Sequence, residues 1–224
     1  MFTPRFITFT GADDRTDLAQ MAELASDFPV EFAILFSGSR EGSARYPGRD
    51  WIAPVQRSGL RLAAHICGAW ASQIVTEGRS DIDDRLDGFS RVQINTAADL
   101  DIDLITDWAN KVSLRNLQEI EVILQCRGPF PEDDRVSWLY DCSAGTGTQP
   151  DTWPEPPKNN IRFGYAGGMG PENIASILET LPETSDAWID MESRVRNDRD
   201  LFDLDLCRSV CSAAYPETAP SIPR

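Results

Sequence analysis

The residues of this sequence that could transfer protons stand directly after short apolar runs. Asp141 ends the run SWLYD, His65 lies in LRLAAHI, and Asp13 follows FITFTGA. Carboxyl and imidazole groups are common general acids and bases, so these three are candidate catalytic residues. Each also has a structural interpretation: Asp141 could cap a turn, His65 could be a packed histidine, and Asp13 with its neighbour could cap the helix that includes Leu18.

A second group of residues could hold an anion. The segment AGGMGPENI (166–174) places glycines where an apolar run passes into a helical pattern, which suits either a tight turn or backbone contact with a phosphate. Arginines that follow other runs suit bidentate contact with phosphate or carboxylate. With polar residues at two further strand ends, the candidate binding residues are Gly167, Gly168, Gly170, Ser193, Arg194, Arg45, Arg40, Arg127 and Gln93.

Eight apolar runs rich in β-branched and aromatic residues predict eight strands. They are FITFT (6–10), EFAILF (31–36), LRLAAHI (60–66), SRVQIN (90–95), EVILQC (121–126), SWLYD (137–141), IRFGYA (161–166) and AWIDM (187–191). Helical periodicity lies between most of them, over 18–28, 99–112, 171–181 and 201–215. This alternation favours a single α/β domain of the (β/α)₈ TIM-barrel type, with a doubly wound open sheet as the alternative.

The same pattern predicts where the barrel is irregular and where it ends. The second helix, near DWIAPVQRS (50–58), is short, and RGPFPEDDRV leaves no room for a full fifth helix. We expect one barrel domain over residues 1–215 and a loose C-terminal tail over 216–224. In such barrels the functional residues follow the strands, and phosphate sites use the loops after strands seven and eight. AGGMGPENI and ESRVRN occupy those two loops.

Composition restricts the expected partners and cofactors. The 224 residues carry a formal net charge of −15, which disfavours nucleic acid and anionic membranes but still permits a small anionic ligand. No apolar stretch reaches the length of a membrane span, and no signal-peptide core is present near the N-terminus. A single histidine excludes a two-histidine metal site within the chain, and we expect neither a metal nor a cofactor. Five cysteines without close pairing indicate reduced thiols in a cytoplasmic protein.

Four motifs of the sequence, taken in chain order, are similar to motifs of one enzyme family. VQINT (92–96) is similar to IQLHG, and LYDCSAGTGTQPDTW (139–153) to an aspartate followed by a GTG turn and a DW pair. AGGMGPENI (166–174) is similar to AGGLNPENV, and IDMESRVR (189–196) to VDVSSGVE. On these motifs the chain resembles the phosphoribosylanthranilate isomerases. The resemblance spans the whole chain and is strongest from about residue 137 onward.

The resemblance implies a single barrel that rearranges a phosphorylated aldose-amine to a ketose-amine. It implies that Asp141 is the general acid, that the strand-seven glycines and the region of Ser193 hold the phosphate, and that Arg45 is the family's strand-two arginine. The family's general base is a cysteine at the end of strand one, and Thr10 stands at that position here. Asp13, Cys67 or His65 would have to replace that base.

Three hypotheses of function follow. The first is an isomerase-like barrel acting on a phosphorylated sugar or sugar-amine, with Asp141 in acid–base catalysis. The second is a non-catalytic barrel that binds a phosphorylated metabolite or serves as a scaffold. The third is a lyase or hydrolase that uses Asp13, His65, Asp141 and Glu192, with or without a divalent cation. The expected partner is a small phosphorylated metabolite, and the arc over residues 37–49 could close over the mouth as a lid.

Overall fold

A closed barrel of eight parallel strands forms the centre of the protein. The computed structural model describes residues 2–143, 147–158, 161–184 and 186–217, so most of the predicted tail, residues 218–224, lies outside the described residues. The strands are β1 (Ile7–Thr10), β2 (Val30–Phe36), β3 (Leu62–Cys67), β4 (Arg91–Asn95), β5 (Glu121–Cys126), β6 (Ser137–Asp141), β7 (Phe163–Ala166) and β8 (Trp188–Met191). They pair in chain order, and β1 also pairs with β8. The barrel prediction is confirmed, and the open sheet is excluded.

Six α-helices of the described residues surround the barrel. They are α1 (Leu18–Asp27), α2 (Arg49–Gln56), α3 (Ala69–Glu77), α4 (Ile102–Asn116), α5 (Ile174–Thr180) and α6 (Leu204–Ala214). The second helix is short, as predicted, and residues 127–136, all of them described, form no helix between β5 and β6. The described residues between β6 and β7 form no helix either. In the described part of the chain, no helix is long and apolar enough to cross a membrane.

Aspartates begin three of these helices. The carboxylates of Asp17, Asp101 and Asp203 accept hydrogen bonds from N–H groups in the first turns of α1, α4 and α6. These amide groups have no partner inside the helix, so the caps stabilise the helix ends. The interpretation of Asp13 and Asp14 as the cap of α1 is wrong, because Asp17 occupies that position and Asp14 instead accepts from the backbone just before α2.

The barrel interior contains a charged layer near the N-terminal ends of the strands. Arg91 is buried there, with Nη1 2.6 Å from Glu31 Oε1 and Nε 3.2 Å from Glu121 Oε1. Its guanidinium lies 4.2 Å from the centre of the Trp188 ring. The ring fits because Gly164 lies beside it: a Cβ at Gly164 would lie 2.8 Å from Trp188 Nε1 and closer still to the ring carbons. This layer lies at the end of the barrel opposite the strand C-termini.

Loops cover the strands where helices are missing between β5 and β7. The Phe130 ring packs against Phe163 and Tyr165, at centre-to-centre distances of 5.0 and 5.6 Å. Trp153 packs against Tyr140 and Tyr165, at 6.0 and 5.7 Å. Trp153 therefore belongs to the packing outside the barrel, where these two aromatic rings hold it.

Candidate active site

A cavity of about 340 Å³ opens at the C-terminal ends of the strands. Residues of β1, β3, β4, β5, β6, β7 and β8 line it, together with the loops that follow β4 to β8. This end of the barrel is where (β/α)₈ enzymes place their active sites. Eight of the predicted site residues line the cavity: His65, Gln93, Arg127, Asp141, Gly167, Gly168, Ser193 and Arg194.

The floor of the cavity holds a buried carboxyl–imidazole pair. Asp190 Oδ2 in β8 lies 3.6 Å from His65 Nε2 in β3, and neither atom has a hydrogen-bond partner among the described residues. The Thr10 hydroxyl donates to the other carboxyl oxygen of Asp190 at 2.8 Å. Gln93 Oε1, next to His65 in the β3–β4 register, is likewise buried without a partner in the described part of the chain. Buried polar atoms normally have partners, so these three atoms mark a position for a ligand or a water molecule.

Burial shifts the pKa values of Asp190 and His65 in opposite directions. It raises the pKa of Asp190 to about 8, with a smaller opposing effect from the Thr10 hydroxyl and a further increase from the carboxylate of Glu31. It lowers the pKa of His65 to about 3, and the Arg91 guanidinium adds to that decrease. At neutral pH Asp190 therefore holds a proton and His65 is a neutral imidazole. A protonated carboxyl group can donate a hydrogen bond and a neutral imidazole nitrogen can accept one.

Asp190 is the site residue that the sequence reasoning missed. It lies near the end of the predicted strand eight, three residues before Ser193, and is not among the predicted site residues. The available signal was an aspartate inside the apolar run AWIDM, since a strand of a parallel barrel is buried on both faces and a carboxyl group there needs a special reason.

Asp141, at the end of β6, is held as a hydrogen-bond acceptor. Its Oδ1 accepts from the Ser143 N–H at 2.9 Å and from the Ser143 hydroxyl at 2.6 Å, and its Oδ2 accepts from the Gln125 amide at 3.1 Å. Asp141 thus caps its own loop, which agrees with its structural interpretation, and it also lines the cavity. In the strand register Asp141 pairs with Ala166, and Ala166 pairs with Asp190. The two aspartates are therefore two strands apart, about 10 Å between Cα atoms.

The glycine segment after β7 is shaped by close packing of the neighbouring loops. Gly167 and Gly168 have φ angles of 124° and 63°, and a Cβ on Gly168 would lie 2.6 Å from the backbone of the β6 loop. A Cβ on Gly170 would lie 2.5 Å from Arg194 Cβ, so Gly170 admits the β8 loop and does not line the cavity. Asn173 fastens the turn, accepting from the Gly170 N–H at 2.9 Å and donating to the Gly168 carbonyl at 2.8 Å. Tight packing requires these glycines, and two of them still face the cavity.

Arg45 lies beside the cavity rather than in it. Its Nη1 is 2.7 Å from Glu192 Oε1, and its Nε and Nη2 donate to the two carboxylate oxygens of Asp200 at 3.2 and 2.6 Å. The φ angle of Arg45 is 69°, and its backbone N–H donates to Asp13 at 3.4 Å. These contacts fasten the loop after β2 to the loop after β8. The resemblance suggests a substrate contact for Arg45, but two carboxylates of the chain already bind its guanidinium.

Two further predicted site residues lie outside the cavity. Asp13 is buried, with Oδ2 3.3 Å from Arg196 Nη2, and Arg196 also donates to the Gly11 carbonyl at 2.8 Å. The guanidinium of Arg40 lies 5.4 Å from the centre of the Tyr46 ring. Both residues follow strands as the sequence indicates, but Asp13 contacts Arg196 of the loop after β8 and Arg40 contacts Tyr46 of its own loop.

Of the four side chains in the lyase or hydrolase hypothesis, His65, Asp141 and Glu192 line the cavity and Asp13 does not. Among the described residues, no group of three or more histidine, cysteine, aspartate or glutamate side chains is arranged to hold a metal ion. Asp13 and Glu192 are each paired with an arginine, and His65 faces Asp190. The hypothesis that relies on these side chains as a cation site has no support in this geometry.

Solved structures match this chain over nearly its whole length, whereas no protein-family model and no curated protein matches the sequence. A structure of monomers of the dimeric phosphoribosylanthranilate isomerase from Thermotoga maritima has a TM-score of 0.59 and 14% identity, covering 96% of this chain and 98% of that chain. A phosphoribosylanthranilate isomerase in complex with reduced 1-(o-carboxyphenylamino)-1-deoxyribulose 5-phosphate has a TM-score of 0.59 and 16% identity, covering 96% and 100%. KGPDC from Streptococcus mutans in complex with D-R5P has a TM-score of 0.55 and 10% identity, covering 96% and 97%. The fold expected from the resemblance to phosphoribosylanthranilate isomerases is confirmed.

Proposed function

We propose that the barrel mouth binds a phosphorylated sugar or sugar-amine and isomerises it by acid–base catalysis. The observation that carries this proposal is the set of buried polar atoms without described partners on the cavity floor: Asp190 Oδ2, His65 Nε2 and Gln93 Oε1. Such atoms suit the hydroxyl groups of a sugar, which donate and accept hydrogen bonds. The cavity also has the concave shape and convergent polar groups of a small-molecule site.

The phosphate group is expected to bind between the loops after β7 and β8. Gly167, Gly168, Ser193 and Arg194 line the cavity on that side. Arg194 is available for a ligand, because its ion pair with Glu172 within the described residues is 4.0 Å long and lies at the surface. In barrels of this fold, phosphate sites use these two loops. Two of the matched structures contain a sugar phosphate or its analogue, which supports the same ligand class for this chain.

The two aspartates suit opposite roles in proton transfer. Asp190 holds a proton at neutral pH, because burial raises its pKa to about 8, so it can act as the general acid. Within the described residues Asp141 accepts three hydrogen bonds and donates none, which suits a carboxylate that acts as a base. The resemblance gives the acid role to Asp141, whereas the geometry favours Asp190 for it. His65 and Thr10 contact the Asp190 carboxyl group and position it.

The proton transfers balance over one turnover. For a sugar-amine, the Asp190 carboxyl group protonates the ring oxygen as the bond from C1 to that oxygen breaks and an iminium forms. The Asp141 carboxylate removes the proton on C2, giving an enol-amine that tautomerises to the ketose. Asp190 loses one proton and Asp141 gains one, and exchange with water restores both.

The experiment follows turnover of phosphoribosylanthranilate, generated in situ, by the loss of its fluorescence. We expect turnover in the wild type and a decrease of at least about 100-fold in both Asp190→Asn and Asp141→Asn, the size typical of a lost general acid or base. The control is Asp87→Asn, an exposed aspartate before β4 at the opposite end of the barrel. A wild type without turnover, or variants as active as the control, would contradict the isomerase proposal.

The second candidate is a barrel that binds a phosphorylated metabolite without reaction. Thr10 favours it, because a hydroxyl stands where the resembled family has its cysteine base, and that hydroxyl donates to Asp190. Equilibrium dialysis with ribose 5-phosphate separates the two candidates. Binding without turnover of any phosphorylated aldose-amine would support the second candidate and exclude the first.

A further inference from the structure

A groove on the outside of the barrel lies beside α4, where the helix between β5 and β6 is missing. We call this feature the α4 groove. One wall is the C-terminal half of α4 with the turn that follows it, and the other is the segment 134–137 with Arg162. Its volume is about 820 Å³. In a regular (β/α)₈ barrel a helix would lie beside α4 between β5 and β6, whereas residues 127–136 form no helix here.

Two exposed leucines stand at the rim of the α4 groove. The exposed fractions of Leu114 and Leu117 are 77% and 94%, and they are the two exposed large hydrophobic residues of the described chain. Leu117 lies at the C-terminal end of α4 with a φ angle of 51°. This is the left-handed conformation that glycine usually adopts at the end of a helix. A leucine that is both exposed and in this conformation gains nothing from packing in the isolated chain. Both leucines are explained if an apolar surface covers them.

The charged residues of the α4 groove indicate which charge a binding partner would carry. The two arginines in it are already paired: Arg135 with Asp103 and Asp133, and Arg162 with Glu121 at 2.7 Å. The exposed carboxylates of Glu119 and Asp134 line the same groove, and no ion pair to either occurs within the described residues. The charge left for a partner is therefore negative, as is the chain as a whole at −15.

We propose that the α4 groove binds an amphipathic helix of a partner protein, with an apolar ridge against Leu114 and Leu117 and basic residues facing Glu119 and Asp134. A helix in a groove is a common recognition mode, and the α4 groove runs beside α4 from Thr106 to Leu117. A second copy of this chain fits less well, because two surfaces of net charge −15 repel each other. The proposal is independent of the chemistry at the barrel mouth.

The test uses a 14-residue probe peptide of leucine and lysine, with leucines spaced to form one face of a helix. Binding is measured by fluorescence anisotropy, and the contact region by hydrogen exchange. We expect the peptide to protect amides in 106–122 and 134–137 from exchange. The double variant Leu114→Gln with Leu117→Gln should bind at least about ten-fold more weakly, since a ten-fold change in Kd corresponds to the loss of a modest apolar contact. Because both leucines are exposed, the variant keeps the fold, which circular dichroism checks.

Two controls separate this groove from general attraction between a basic peptide and an acidic protein. Glu119→Gln with Asp134→Asn should weaken binding several-fold, while Glu179→Gln, an exposed glutamate on α5, should leave it unchanged. Equal binding by all variants, or protection elsewhere on the chain, would overturn the proposal. Light scattering provides a further check: a wild-type dimer that the double leucine variant converts to monomers would show that the occupant is a second copy, which also overturns the proposal.

Discussion

Replacement of Asp190 by asparagine should change how the stability of the protein depends on pH. Asparagine has nearly the same shape, its amide oxygen can still accept from the Thr10 hydroxyl, and its amide group can face His65 Nε2 as the protonated carboxyl group does. Asparagine does not titrate. The difference in free energy of unfolding between wild type and variant therefore isolates the titration of Asp190.

The sign of the effect follows from the raised pKa. The folded protein holds the Asp190 proton up to about pH 8, whereas the unfolded chain releases it near the ordinary value of 3.8. Between these values the folded state binds more protons, so wild-type stability relative to the variant is lost as pH rises from about 4 to about 8. Four pH units at about 1.4 kcal/mol each give an upper limit of about 6 kcal/mol. We expect about 3 kcal/mol, because water entering from the cavity reduces the cost of the buried charge.

Urea unfolding followed by tryptophan fluorescence at pH 5 and pH 9 measures this difference. The opposite pH dependence from His65, whose pKa is lowered to about 3, applies to both proteins between pH 3 and 6.5 and cancels in the comparison. Asp87→Asn, an exposed replacement of the same type, should show no such change. A wild-type-to-Asp190→Asn difference that stays constant within about 0.5 kcal/mol from pH 5 to 9 would refute the reasoning, since that is the usual range of a neutral surface substitution.

Two further predictions concern the charged layer near the N-terminal ends of the strands. Arg91→Met should lower the free energy of unfolding in urea by about 2–3 kcal/mol, because the buried Glu31 carboxylate loses its 2.6 Å partner. The loss is below that of a fully unpaired buried charge, since Glu31 keeps Arg61 at 3.3 Å and the Thr8 hydroxyl at 2.9 Å; a loss below about 1 kcal/mol would contradict this. Gly164→Ala should cost about 1–3 kcal/mol, since the added Cβ overlaps the Trp188 ring. Gly128→Ala, where a Cβ meets nothing within 4 Å, is the matched control, and equal effects at both glycines would exclude the packing explanation.

The strands of this fold could be predicted because a parallel barrel buries them on both faces. That burial produces continuous apolar runs, and all eight runs overlap the strands of the structure. The irregular helices could be predicted too, since ten residues between β5 and β6 with two prolines and five charged side chains leave no apolar helical face. The cap of α1 cannot be predicted from the sequence, because several aspartates precede the helix and only the backbone geometry selects Asp17.

The arrangement of the candidate site depends on contacts that sequence spacing does not contain. Asp190 meets His65 and Thr10 across 125 and 180 positions of the chain, and their proximity follows only from the register of the closed barrel. Arg45 looks like an anion-binding residue in the sequence, yet its guanidinium is paired with carboxylates that follow β8. A strand end can be read from the sequence, but the direction of a loop side chain cannot, because its partner comes from another loop.

The most direct test of the central claim is a titration with ribose 5-phosphate, followed by NMR of the single histidine imidazole. His65 lies on the cavity floor and is the only histidine, so its ring signals need no assignment. We predict a saturable shift of the His65 ring signals with ribose 5-phosphate and no shift with ribose. The Arg194→Ala variant should bind ribose 5-phosphate at least about ten-fold more weakly, because it lacks a charge-assisted contact with the phosphate. Unchanged His65 signals at saturating ribose 5-phosphate, or equal responses to ribose, would contradict a phosphosugar site at the barrel mouth.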